Sequence, residues 1–336
     1  MTNYIVLPKN TPEHYFFRSG IYMKKQTPSG IWQEPIPIFS GGRDGFSVYC
    51  SKDSVHLICT DYGGDLIYAV SAKDEWKRYV ISKLNSDIAV LDMRLYNVRG
   101  RLNLMYSALY NGENLLVHCI LGDRAKPSTI DILETPHFFI KGNKAYYTNA
   151  NGVFGSVNLA DEKPSVFTPI YEDAHFGTVY DVIGKERILF SRSSSVFLDG
   201  KELAHDTHLE MPILADIGGK IYVMWKSGNF VRYITSVDGE NFGEPKRFMN
   251  TGKTMNIYTV QKGNDFKYYY GYETQSGTVL LGNPDVFEMS ADYSAQRRSE
   301  LERIKNMLNQ TQQDISDAKK EIARLGKVIS SLTDKT

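Results

Sequence analysis

Ile213-Leu214-Ala215-Asp216-Ile217-Gly218-Gly219-Lys220-Ile221-Tyr222-Val223-Met224-Trp225-Lys226-Ser227-Gly228-Asn229-Phe230-Val231-Arg232-Tyr233-Ile234-Thr235 reads as three short strands joined by two tight turns. The apolar runs are rich in β-branched and aromatic residues, which suit a pleated surface, and Gly218-Gly219 and Gly228-Asn229 supply the turns. An Asp-Gly turn follows, and Pro245 to Phe248 completes a fourth strand. The same plan occurs upstream. There Met93 to Val98, Leu102 to Ser107, Leu115 to Ile120 and Thr129 to Leu133 are separated by Arg99-Gly100, Asn111-Gly112 and a stretch ending in Pro127. Each unit is an up-and-down meander.

The second strand of this plan recurs along the chain. It begins near Tyr15, His56, Leu102, Ala145, Ile188, Ile221 and Phe266, at steps of 41, 46, 43, 43, 33 and 45 residues. Seven four-stranded units of this size are the repeat of a β-propeller. A lone unit exposes both faces and both edges, whereas radial stacking buries the faces and leaves only short outer edges. The expectation is therefore a mainly β chain with a seven-bladed propeller over residues 1–289. Six or eight blades stay open, because the fifth unit is short and the first and last are ragged.

From about Ala291 the composition changes to Glu, Lys, Gln, Arg and Ala. Position a of a heptad holds Leu301, Leu308, Ile315, Ile322 and Ile329; position d holds Ile304, Thr311, Ala318, Leu325 and Leu332. This spacing of 3.5 residues predicts one long α-helix over 290–336, roughly 48 Å from Leu301 to Leu332, in a left-handed coiled coil. The expected partner is a second copy of the chain, as a parallel dimer or a trimer. Glu300 with Lys305 and Asp314 with Lys319 are the charge pairs that suit parallel strands.

Lys and Arg number 39 against 39 Asp and Glu, so no global field draws the chain to nucleic acid or to an anionic membrane. Cys50, Cys59 and Cys119 form neither a CxxC pair nor an even set, which argues against a disulfide framework and a zinc site. The first residues carry no basic and apolar leader, so synthesis in the cytosol is expected, with incorporation into a particle or surface by a non-classical route left open. His205 and His208 beside Asp206 and Glu210 offer metal-ligand types, but without a third convergent ligand no metal is expected. No cofactor is indicated.

Ser236-Val237-Asp238-Gly239-Glu240-Asn241-Phe242 resembles the Asp-box of sialidase-like propellers, and Ser71 to Trp76 and Thr27 to Trp32 are similar in worn form. The resemblance implies a structural turn built on Ser236, Asp238, Gly239 and Phe242 between the third and fourth strands of a blade. It also raises a glycosidase, which would need two carboxylates astride the scissile bond. Arg43, Asp44 and Asp92 stand at blade junctions, where such enzymes carry catalytic groups, yet no arginine triad or nucleophile pair is evident and no catalytic residue is assigned. The tyrosines Tyr268, Tyr270 and Tyr272 alternate along one strand and could stack on a sugar. With Arg43 and Asp44 they are the expected ligand-binding residues. The expected role is multivalent recognition of a glycan or protein; a structural part of a coat, appendage or phage-type particle and a sialidase-like hydrolase are the alternatives.

Overall fold

The computed structural model describes residues 2–281 except 9–10, 28–31, 53, 73–74, 85, 123–125, 160–163, 175, 183–184, 218, 249–254 and 275–276, together with 310–313, 315–316 and 319–320. The chain divides into two compact units, Met1–Gly282 and Asn283–Thr336. The expected boundary at 289/290 falls among residues outside the described set.

The first unit is mainly β. Its described strands fall into seven consecutive antiparallel meanders. The first has β1 (Asn3–Val6), β2 (Glu13–Phe17), β3 (Ile21–Lys25) and β4 (Ile36–Phe39). The second has β5 (Ser47–Cys50), β6 (Val55–Thr60), β7 (Leu66–Ala72) and β8 (Glu75–Ser82). The third has β9 (Ala89–Val98), β10 (Arg101–Tyr110), β11 (Glu113–Ile120) and the start of β12 (Ser128–Lys141). The end of β12 opens the fourth, with β13 (Lys144–Asn149), β14 (Val153–Asn158) and β15 (Thr168–Glu172). The fifth has β16 (Phe176–Val182), β17 (Lys185–Arg192), β18 (Ser195–Leu198) and β19 (Lys201–His205). The sixth has β20 (Leu209–Ile217), β21 (Lys220–Ser227), β22 (Phe230–Ser236) and β23 (Lys246–Arg247). The last has β24 (Asn256–Lys262), β25 (Asp265–Thr274) and β26 (Gly277–Leu281).

All seven recurring apolar runs lie on the second strand of a meander: β2, β6, β10, β13, β17, β21 and β25. These strands are covered on both faces. In β21 every residue from Ile221 to Trp225 is buried, and Leu57 to Cys59 of β6 are too. Double-sided burial explains why the runs are continuously apolar rather than alternating.

Neighbouring meanders meet along their first strands: β1 with β5, β5 with β9, β9 with β12, β12 with β16 and β16 with β20. β20 then meets β25, and β24 pairs in parallel with β1 through Tyr4 with Thr259, Ile5 with Val260 and Val6 with Gln261. The first and last meanders thus share one sheet, and the unit is propeller-like. Lys24 and Glu273 add an ion pair of 2.6 Å across this junction.

One element departs from the four-strand plan. β12 runs for 14 residues as the last strand of one meander and the first of the next, with its register shifted between Leu133 and Phe138. Thr135-Pro136 sits in this shift. The residue before a proline is pushed to extended backbone, and no Gly offers a turn, so the chain continues straight.

The Ser236–Phe242 turn is held by its own side chains. Asp238 Oδ1 accepts the backbone N–H of Asn241 and of Glu240, both at 2.9 Å, and Ser236 Oγ accepts the N–H of Gly239 at 2.9 Å. These bonds hold the Asp238 carboxyl well below the usual range. Gly239 has φ +76°, where a side chain would be strained. Phe242 packs on the core of the fifth and sixth meanders. Pro28 to Ile31 and Lys73 to Asp74 of the two worn copies lie outside the described residues.

In the second unit, 310–313, 315–316 and 319–320 are helical. Ile315 is 52% exposed. Leu301, Ile304, Leu308, Ala318, Ile322, Leu325, Ile329 and Leu332 lie outside the described residues.

Candidate functional site

A cavity of about 430 Å³ opens where the first strands of the meanders begin. Thr2, Asn3 and Tyr4 enter it from β1, Gly45 and Phe46 precede β5, and Asp92 and Arg94 come from β9. His137 comes from β12, Glu210 and Met211 from β20, and Asn256 from β24. Tyr268 and Tyr270 of β25 and Lys226 of β21 complete the wall. Six of the seven meanders contribute, so the site exists only when the chain has closed on itself.

Asp92 and Arg94 are two residues apart on β9 and therefore share a face. Arg94 Nη1 donates to Asp92 Oδ1 and, at 2.7 Å, to the Met93 carbonyl. Its guanidinium lies over the Phe138 ring, 5.9 Å from the centroid. The pair is 14% and 16% exposed, deep enough for the low local dielectric to strengthen it. Burial works against the Arg94 charge, but the Asp92 carboxylate beside it keeps the guanidinium firmly protonated. Among the described residues Arg94 Nε has no acceptor. His137 is half exposed with Nδ1 3.9 Å from Asp92 Oδ2. Across the cavity Glu210 accepts from Lys226 Nζ at 2.7 Å.

Tyr268 and Tyr270 share a face of β25. Tyr270 is 1% exposed, and its hydroxyl donates to the Met211 carbonyl at 2.8 Å. Burial raises its pKa far above the usual phenol value. Tyr268 is half-buried against Phe139, at 5.8 Å between centroids; burial raises its pKa, and the Arg94 charge partly opposes that rise. Met211 has φ +44° beside a shift in register between Glu210 and Ile213. A left-handed Met is strained, and strain of this kind gathers at bulges that re-aim side chains at functional sites.

The residues expected from sequence divide. Tyr268 and Tyr270 line the cavity; Tyr272, though on the same face, is 7% exposed and stands outside its lining. Asp44 sits behind the rim. Its carboxylate accepts the N–H of Thr2 at 2.8 Å and of Gly45 at 2.9 Å, fixing two residues of the wall. Burial alone would raise its pKa, but these bonds bring the net shift below the usual value. Arg43 lies elsewhere. Its guanidinium caps the Tyr62 carbonyl at 2.7 Å in the β6–β7 turn and does not line the cavity. Asp206 is also accounted for by packing. Its carboxylate accepts from Trp225 Nε1 at 2.9 Å, Ser227 Oγ at 3.0 Å and the His208 N–H at 3.1 Å. Among the described residues no group of three His, Cys, Asp or Glu is placed to hold a metal ion. Arg94, His137, Lys226 and Met211 were missed. Each belongs to a first strand or to the strand beside it, and only closure of the unit brings them together.

No protein-family model matches the chain, and no curated protein matches it in sequence. Solved structures resemble its fold. The BP39L lectin of Burkholderia pseudomallei aligns with a TM-score of 0.56 at 10% identity, over 83% of this chain and 96% of that one. BBS1N, in complex with ARL6DN, aligns with a TM-score of 0.50 at 11% identity, over 80% and 86%. A lectin of Aleuria aurantia with a six-bladed β-propeller fold and a fucose recognition mode aligns at 0.43 and 11% identity, over 84% and 96%, which is too loose to argue from. At such identities the likeness concerns the fold alone: this chain is mainly β and propeller-like, with lectins among its structural neighbours.

Proposed function

We propose that the chain is a non-enzymatic recognition module that binds a glycan in the cavity at the start of its first strands. One observation carries the reading. The cavity combines a half-buried tyrosine face, several exposed polar groups and carboxylates that are already engaged. Sugar sites want an aromatic surface for the C–H face of the ring and a few placed donors and acceptors for its hydroxyls. Tyr268 supplies the face, while His137, Glu210 and Lys226 supply the polar contacts. A glycosidase needs one carboxyl free to protonate the leaving group and another to attack or activate water. Asp92 and Glu210 are instead tied to Arg94 and Lys226. The likeness in fold to a bacterial lectin supports the same ligand class.

We read the propeller as seven-bladed, from the seven meanders and the seven apolar second strands. The heptads from Leu301 to Leu332 would join such heads through a parallel coiled coil, so that weak single sites act together. The Ser236–Phe242 turn fits an Asp-box in form; kinship with sialidases stays a reading of that motif.

A glycan array probed with the full chain and with the double variant His137→Ala, Glu210→Ala tests this. Both side chains are about half exposed, so their loss leaves the fold intact. Binding that is lost in the variant supports the site. Binding unchanged by it moves the site elsewhere. The absence of any glycan binding would favour the alternative of a structural part, with protein contacts on the blade sides.

A further inference from the structure

We propose that the cleft between the first two meanders is a second binding site, built for one neutral hexopyranose unit with adjacent free hydroxyls. It is separate from the cavity described above, being formed by β2–β4 and β6–β8 rather than by the openings of the first strands. It shares with the proposed function only the class of ligand.

The cleft has a volume of about 560 Å³, inside the roughly 300–1,000 Å³ of small-molecule sites. One wall is a pair of cross-strand neighbours: Glu13 opposite Lys25, and Tyr15 opposite Met23. Residues two apart on a strand face the same way, so these four present one surface. The other wall runs straight across three strands, with Val55 opposite Ser71 and Ser71 opposite Trp76. At its base the Tyr15 and Trp76 rings meet edge to face, 6.2 Å apart at 75°.

Glu13 makes the cleft chemically specific. Its side chain is 9% exposed, yet the residue lines the cavity. Oε2 accepts the Tyr15 hydroxyl at 2.6 Å and Oε1 lies 3.3 Å from Lys25 Nζ. An ionised carboxylate offers about four acceptor positions, and the described partners occupy two. The remaining acceptor positions are left for donors of a ligand. Two adjacent ring hydroxyls present two donors at carboxylate spacing, the same fork geometry by which carboxylates take paired donors. Trp76, half-buried, offers an aromatic surface to the apolar C–H face of the ring, and the Ser71 hydroxyl lies on the wall between them. An acidic sugar would set its own carboxylate against Glu13 and is disfavoured, which is why the ligand class is neutral.

Saturation-transfer NMR of the full chain with methyl galactoside, methyl mannoside, methyl fucoside and methyl N-acetylglucosaminide, each at millimolar concentration, tests the cleft. Two variants remove it differently. Glu13→Gln keeps the shape and removes the charge. Ser71→Phe fills the space without deleting a packed side chain. At least one glycoside is expected to bind the native chain, and each variant is expected to weaken it by roughly tenfold or more, the usual consequence of losing a hydrogen bond to a charged group. His137→Ala with Glu210→Ala should leave this component unchanged. If the cleft variants change nothing while the mouth variant abolishes binding, the second site is overturned and the first stands. If no neutral glycoside binds, or the uronide methyl glucuronide binds better than all four, the cleft proposal is overturned as well.

Discussion

His14 lies between Lys24 and Glu273 with 1% of its surface exposed, its Nε2 3.2 Å from Asn3 Oδ1. Burial, then the Lys24 charge, holds its pKa down to about 3, with Glu273 pulling weakly the other way. The unfolded chain therefore binds a proton near pH 6.5 that the folded chain refuses. The contribution of this site is intact above that pH and is lost as acid is added, at about 1.4 kcal/mol per pH unit. Denaturant midpoints measured at about pH 7 and about pH 5 should differ more for the native chain than for His14→Gln, because only the former carries this linkage. Equal shifts in the two proteins would show that other groups govern the acid limb. Asp206 makes a second residue-scale case. It is 6% exposed and satisfies the Trp225 indole, the Ser227 hydroxyl and a backbone N–H. Asp206→Ala strands those donors and should lower unfolding stability by about 3 kcal/mol, read from urea curves; a cost under about 0.5 kcal/mol would mean that water replaces it.

β1 closes the unit. It pairs with β2 on one side and with β24 on the other, so the first and last meanders meet through Tyr4, Ile5 and Val6. Every N–H of such a strand belongs to a ladder. Ile5→Pro removes one and should cost at least about 2 kcal/mol, with one cooperative transition moving to lower denaturant. A variant that keeps native stability would place the closure elsewhere. At this scale the sequence was readable where burial is two-sided. Runs such as Ile221 to Trp225 have no other use than the middle of a covered sheet, and all seven marked second strands. It was less readable at β12, where Thr135-Pro136 looks like an interruption but keeps the chain extended. The cavity was legible through Tyr268 and Tyr270, whose alternation needs one strand to interpret, and through Asp92 at its blade junction. Arg94, His137 and Lys226 come together through closure of the whole unit, and nothing local in the chain announces it. The turn-capping role of Arg43 was not legible, because it depends on the Tyr62 carbonyl, a backbone group with no signature in sequence.

For the whole molecule, we propose that the heptads of the C-terminal unit join copies of the β unit through a coiled coil. Ile315, which the heptad reading puts at an a position, is 52% exposed. Replacing Ile315 and Ile322 with Asp puts charge on the seam and should yield a monomer in sedimentation, with the far-UV spectrum of the β unit retained. A native chain that sediments as a monomer at micromolar concentration would remove the oligomer from the account. The central claim is sugar recognition by the cavity at the first strands, and a crystal structure of the full chain soaked with the strongest glycan from an array tests it most directly. A pyranose ring is expected against Tyr268, with hydroxyls reaching His137, Glu210 or Lys226; a bound glycan that leaves this cavity empty would contradict sugar recognition here.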